Sequence, residues 1–158
     1  MMNPPFQIND QTFDSNYNRI SWDRLFIDMC FLVAKRSPDA QTQCGAVIVD
    51  DKHRIISVGF NGWIRGSKDN EMPNLRPLKY QNVIHSEVNA ILNARSDLEG
   101  CKIYITGPPC PECLKIIIQS GIKEIIIGTN VHSTHEKEKP FCDWMIKTYD
   151  ILYRRANV

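Results

Sequence analysis

The stretch from 102 to 128, KIYITGPPCPECLKIIIQSGIKEIIIG, decides the fold. It opens and closes on short β-branched runs, at 102–106 and 123–128, that read as strands. Between them, Pro111 suits the first turn of a helix, where its missing N–H costs nothing. Leu114, Ile116, Ile117 and Ile118 give that helix apolar faces, and Gly121 stands where a left-handed C-cap residue belongs. Strand, helix, strand joined this closely predicts a parallel crossover, with the helix packed on one face of a sheet.

Upstream, Val88, Ala90, Ile91, Leu92 and Ala94 predict a helix over 86–95, broken at Gly100. Further upstream, residues 45–49 and 54–58 are β-branched runs separated by Asp50, Asp51, Lys52 and His53, which predicts an antiparallel hairpin. Before it, Trp22, Leu25, Phe26, Met29, Leu32 and Val33 recur at helical spacing, with Ser21 as N-cap and Pro38 closing the segment. Downstream, 141–148 predicts a short helix and 151–153 a last strand. The order predicts an α/β fold: a three-layer α/β/α sandwich around a central mixed five-stranded sheet. Residues 21–158 make one domain, preceded by a polar arm at 1–20 with too few apolar side chains to define a buried face. The irregular stretch 60–81, punctuated by Pro73 and Pro77, is long enough to predict a binding loop.

Composition narrows the function. Nineteen Lys and Arg against 18 Asp and Glu leave a formal charge of +1, so no basic field exists to hold a long polyanion. This predicts no stable nucleic-acid complex, although local cations suffice for one phosphate. Residues 1–10 lack the cationic start and apolar run of a secretory signal, and no stretch has the length of a membrane span, which predicts a cytoplasmic protein without a membrane partner. In a reducing compartment the six cysteines are expected as free thiols and metal ligands.

Two short motifs open neighbouring helices: His85, Ser86, Glu87 at the first, and Pro109, Cys110, Pro111, Glu112, Cys113 at the second. A Cys-x-x-Cys pair alone is a redox pair or half of a structural zinc site as readily as anything else, and a lone histidine is ordinarily just polar. Together, His-x-Glu and Pro-Cys-x-x-Cys form the described signature of zinc nucleobase deaminases. One imidazole and two thiolates make three zinc ligands, leaving the fourth tetrahedral position for water, as a catalytic rather than a structural site requires. The positive end of the helix at Cys110 favours ionised thiols. A carboxylate at Glu87 can then carry the proton of that water to a ring nitrogen and to departing ammonia, which makes Glu87 the expected acid and base. Pro109, which opens the second motif, is assigned a positioning role. One zinc per chain is expected.

From Ser21 to Gly128 the sequence resembles the deoxycytidylate deaminases of the cytidine deaminase superfamily. Ser21, Trp22, Asp23 leading to Ala34, Lys35, Arg36, Ser37 and then to Gly45, Ala46, Val47, Ile48, Val49 is similar to the family's opening helix and hairpin. Gly59, Phe60, Asn61, Gly62 resembles its Gly-Tyr-Asn-Gly loop, and His85, Ser86, Glu87, Val88, Asn89, Ala90, Ile91 its zinc helix. The resemblance implies a cytidine deaminase-like fold, deamination of dCMP to dUMP, zinc held by His85, Cys110 and Cys113, and Glu87 as acid and base. It implies further that Asn61 contacts substrate or a triphosphate effector, dCTP or dTTP with Mg2+. A homo-oligomer, often a hexamer, is implied as well. Where the family loop continues with proline and cysteine, this chain has Ile64 and Ser67 with Arg65 between them. Residues 60–81 contain neither Cys nor His, so the second, structural zinc of some members is not expected. A family tyrosine that packs on the base has His132 as its nearest counterpart.

Arg65, Lys68, Arg76 and Lys79 share the loop, and a 5′-phosphate needs one or two such cations, although a solvated loop face is the default reading for any one of them. Trp63 either stacks on a base or anchors the loop. The substrate-binding expectation therefore comprises Asn61, Trp63, Arg65 and His132. Cys30, Cys44 and Cys101 sit in apolar stretches and read as small buried hydrophobes. The leading reading is deamination of a free cytosine nucleotide. The alternatives are a deaminase of another base or of a polynucleotide, of tRNA adenosine or guanine type, and an inactive nucleotide-binding homologue.

Overall fold

The structure is a computed structural model that describes residues 18–131 and 133–158. Most of the arm at 1–20 lies outside the described residues, and so does His132.

Helix α1, Trp22–Ala34, starts at Ser21, whose hydroxyl accepts from the Arg24 amide at 3.0 Å as an N-cap should. The hairpin follows as β1, Gly45–Val49, and β2, Ile55–Phe60. Its turn is held by Asp50, whose Oδ1 accepts from the amides of Lys52 at 2.9 Å and Arg54 at 2.8 Å. The second strand extends to Phe60, beyond the expected end at Val58, because Gly59 pairs with Ala46 and stays in the ladder. That glycine looks like a strand breaker in sequence. In space it permits close approach: a Cβ there would stand 2.3 Å from the Ala90 nitrogen and 2.4 Å from the Ser86 carbonyl.

Two short strands, β3 at Gly62–Trp63 and β4 at Val83–Ile84, pair antiparallel and close the long loop at its base, a pairing too brief to register in the sequence pattern. Within that loop, 3-10 turns form at Asp69–Glu71 and Leu78–Gln81. Then come α2 (Ser86–Asn93), β5 (Lys102–Ile105), α3 (Pro111–Gln119), β6 (Glu124–Ile127), α4 (Lys139–Thr148) and β7 (Leu152–Arg155). Gly121, at φ +89°, takes the left-handed position after α3 that its sequence place predicts. The last strand runs past Tyr153 because Arg154 and Arg155 still pair with Ile126 and Ile127, charged side chains being tolerated on a sheet edge.

The main sheet has the order β2-β1-β5-β6-β7, with β1 antiparallel to its neighbours and β5, β6 and β7 mutually parallel. It is the mixed five-stranded sheet that the sequence predicts. Alternation splits its side chains between two cores. Val47, Val49, Tyr104 and Ile126 meet Phe26, Ile27 and Cys30 of α1 on one face. Ala46, Ile48, Ile103, Ile105, Ile125 and Ile127 meet Ala90, Leu114, Ile117 and Met145 from α2, α3 and α4 on the other. Helices thus cover both faces, and both parallel crossovers deliver their loops to the end of the sheet where α2 and α3 begin. No disulfide joins any of the six cysteines. No described helix is long and apolar enough to cross a membrane.

Candidate active site

The site is built from two helix starts. His85 is the N-cap residue of α2 in extended backbone (φ −70°, ψ 155°), and Cys110 is the N-cap of α3 (φ −71°, ψ 165°) with Pro111 next in the first turn. An N-cap side chain turns back over its own helix end, so the thiol of Cys110 accepts from the Cys113 amide at 3.4 Å. Three hydrogen bonds fix α2 on β2: Ser57 to the Ala90 carbonyl at 2.7 Å, Asn89 to that of Phe60 at 2.7 Å, and Asn93 to that of Val58 at 2.9 Å. The two helices therefore present their positive ends to one place.

There, His85 Nδ1 lies 3.6 Å from Cys110 Sγ and 3.2 Å from Cys113 Sγ, and all three ligand atoms fall within 4.8 Å of one another. Zinc bonds of about 2.0–2.3 Å in a tetrahedron put ligand atoms about 3.6 Å apart, so this donor set fits the ion. Among the described residues no fourth His, Cys, Asp or Glu joins the group, which leaves one corner open. One of the two thiols is held ready as a thiolate. The Cys110 thiol is held well below its ordinary range by its hydrogen bond with Cys113, against burial, with His85 adding to the effect. Cys113 is pushed up by the same partner and by burial, so the pair gives up one proton readily and keeps the other. Hydrogen bonding to Cys110 raises the imidazole of His85 in turn.

Glu87, 5% exposed, lines the same cavity as His85 and Cys110. Burial raises its carboxyl above the usual range against the pull of its own backbone amide, His85 and Ser86. The Ser86 hydroxyl donates to Glu87 Oε2 at 3.0 Å and fixes the carboxylate's orientation. A carboxyl that neither water nor a permanent cation holds ionised is suited to take up and release a proton.

The cavity is also lined by Asn61, Pro108 and the turn carrying Arg76, Lys79 and Tyr80. Asn61, 6% exposed, stands where a substrate contact is expected, but its amide also organises the wall: Oδ1 accepts from the Cys44 amide at 2.8 Å and Nδ2 donates to the Thr42 carbonyl at 2.8 Å. Trp63 and Arg65 are not brought to this cavity. They line a separate hollow with Arg36 and Asn89, and the buried Trp63 Nε1 has no partner among the described residues. Pro109 is buried and lines a hollow on the far side of α3 with Leu114 and Cys142, so it reaches the site only through the backbone it fixes before Cys110. His132 lies outside the described residues.

The structure adds a pair that sequence reasoning passed over. Lys79 is not a free loop cation. It is 2% exposed, and its ammonium donates to both carboxylate oxygens of Asp39, itself 3% exposed, at 2.9 and 3.1 Å. Forty positions separate them and no local pattern joins them.

A helix-start triad of His, Cys and Cys with an open corner, beside a buried glutamate on this sheet, defines a zinc-dependent hydrolytic deaminase. Comparison with known proteins specifies it further. The family model for the cytidine and deoxycytidylate deaminase zinc-binding region matches residues 20–129. The chain is 42% identical over 125 residues to deoxycytidylate deaminase of Homo sapiens, covering 74% of this chain and 70% of that protein. It is 49% identical over 105 residues to an uncharacterised deaminase in the luxG 3′ region of Aliivibrio fischeri, covering 66% and 70%. The crystal structure of dCMP deaminase from the cyanophage S-TIM5 in complex with dCMP and dUMP shares the fold, at a TM-score of 0.66 and 18% identity over 88% of this chain and 99% of that one. The chain belongs to the cytidine and deoxycytidylate deaminase family.

Proposed function

We propose that this protein hydrolyses deoxycytidylate, converting dCMP and water into dUMP and ammonia, with His85, Cys110 and Cys113 as the zinc ligands and Glu87 as the acid and base. The carrying observation is the shared cavity: a buried, hydrogen-bonded Glu87 faces the same space as His85 and Cys110. When bound, zinc supplies Lewis acidity that brings the pKa of water toward about 7. The chain's own part is proton traffic and orientation. Glu87 takes a proton from the attacking water and delivers it to N3 of the cytosine ring as oxygen adds at C4. Glu87 then takes the second proton from the hydroxyl now on C4 and passes it to the amine, so that the C4–N bond breaks, ammonia leaves and the C4 carbonyl of dUMP forms. Asn61 and Pro108 bound the space the base occupies.

The substrate assignment rests on family membership and on the cationic side of the cavity at Arg76. A near-neutral net charge speaks against a polynucleotide substrate. Zinc-loaded protein is to be offered dCMP, deoxycytidine, cytidine, guanine and a short RNA hairpin, with ammonia release recorded. The reading requires dCMP to be the best substrate by kcat/KM; faster release from guanine or the hairpin overturns it.

Assembly as a homo-oligomer, regulation by dCTP and dTTP with Mg2+, and a cytoplasmic setting belong to the same proposal. The exposed aromatic face of Phe141, Trp144 and Tyr149 supports assembly. A monomeric mass by light scattering, or a rate indifferent to both triphosphates, contradicts the first two.

A further inference from the structure

The stretch between β3 and β4 carries four cations, and their surroundings differ. Lys79 is committed to Asp39 inside the wall. Lys68 pairs on the surface with Glu71 at 3.1 Å. Arg65 lines the separate hollow beside Trp63. Arg76 is the remaining one, and it lines the cavity that holds His85 and Glu87. Its guanidinium carbon lies 5.5 Å from the centroid of the Tyr80 ring, which also lines that cavity.

We propose that Arg76, backed by Tyr80, is the receptor for the 5′-phosphate of the nucleotide and thereby sets the preference for a nucleotide over its nucleoside. The inference rests on the deoxycytidylate reading of the site. Three features carry it. A guanidinium resting on an aromatic ring keeps its in-plane N–H donors directed outward, and that planar fork matches phosphate oxygens in pairs. The segment bearing Arg76 is anchored: the Lys79 amide donates to the Leu75 carbonyl at 3.1 Å, the Tyr80 amide to that of Pro77 at 3.2 Å, and the buried ammonium of Lys79 pins the turn to Asp39. Lys79 also neutralises the Asp39 carboxylate within the same wall, so Asp39 does not meet an incoming phosphate as an unpaired charge. Positioning thus falls to Lys79 and Asp39, and ligand contact to Arg76.

The test compares equilibrium binding of dUMP and deoxyuridine to zinc-loaded wild type, Arg76→Ala and Arg76→Lys by calorimetry, alongside kcat/KM for dCMP. A lost charge-assisted contact of this kind weakens binding by about ten- to a hundredfold. Arg76→Ala should lose dUMP affinity on that scale while deoxyuridine affinity barely moves. Arg76→Lys, a point charge without the fork, should fall between. Inorganic phosphate should compete with dUMP on the wild type and much less on Arg76→Ala. Equal affinity of the wild type for dUMP and deoxyuridine overturns the inference, as does an Arg76→Ala protein that loses both ligands together. If dUMP binds through Arg76 but dCMP is not deaminated, the functional reading fails and the phosphate assignment stands.

Discussion

The side-chain amide of Asn89 donates to the backbone carbonyl of Phe60 at 2.7 Å, and this one bond ties the helix carrying His85 and Glu87 to the residue that precedes Asn61. Asn61 in turn holds the amide of Cys44 and the carbonyl of Thr42, so the helix that begins at His85 and the cavity wall at Thr42 and Cys44 are joined through two consecutive residues. Replacing Asn89 with Ala leaves the Phe60 carbonyl without that donor, a cost of about 1–3 kcal/mol for a part-buried group. Asn89→Ala should therefore show a lower midpoint in urea and a reduced kcat/KM while still binding zinc. An unchanged midpoint contradicts the coupling.

Glu87→Gln keeps the shape and the capacity to accept from Ser86 but cannot move a proton. Turnover should fall by at least about 10²- to 10⁴-fold, the usual range for a lost general acid and base. Zinc content by metal analysis should match the wild type. Substantial residual turnover, or loss of the metal, removes Glu87 from the assigned role.

Cys113→Ala removes a donor from a group whose three ligand atoms lie within 4.8 Å. Bound zinc should drop from about one equivalent per chain to a small fraction, and the thermal midpoint should fall toward that of chelator-treated wild type, since a ligand that binds only the folded state stabilises it. Cys142→Ala, which lines a different hollow and is not one of the three clustered donors, should keep its zinc. Near two equivalents of zinc in the wild type contradict the single site.

Local chemistry explains what was legible. The cap residues, the helical spacings and the β-branched runs are properties of adjacent residues, so α1, the hairpin, the 102–128 crossover and the two helix starts that bring His85, Cys110 and Cys113 together could be read directly. Gly59 misled because its reason lies in another element, the first turn of α2 packed against it. The loop cations misled in the same way. A lysine in a polar loop looks exposed until Asp39, forty positions earlier, is placed beside it, and Arg65 looks equivalent to Arg76 until β3 and β4 pair and send them to different hollows.

The last prediction concerns acid. Asp23 at the start of α1 accepts from four donors across the chain: Arg154 Nη1 at 2.5 Å and Nη2 at 3.1 Å, the Tyr104 hydroxyl at 2.9 Å and the Asn157 amide at 2.8 Å. Burial opposes its ionisation, but Arg154, Asn157 and Tyr104 together outweigh it and lower the carboxyl from 3.8 to about 2. Because the folded value is the lower one, folding favours the ionised form. The stabilisation is complete above pH 3.8 and is lost as pH falls through about 2. Its size is about 2 kcal/mol, from about 1.4 kcal/mol per pKa unit. Asp39 and Asp50 are also lowered and titrate in the acid range, so the wild type alone does not isolate the effect. The difference between wild type and Asp23→Asn does. Urea unfolding should show the variant less stable at pH 7 by roughly that amount, with Arg154 still held by Glu124 at 2.9 Å. The gap should shrink as pH is lowered from 4 toward 2; a gap that stays constant with pH shows that the Asp23 charge contributes nothing to it.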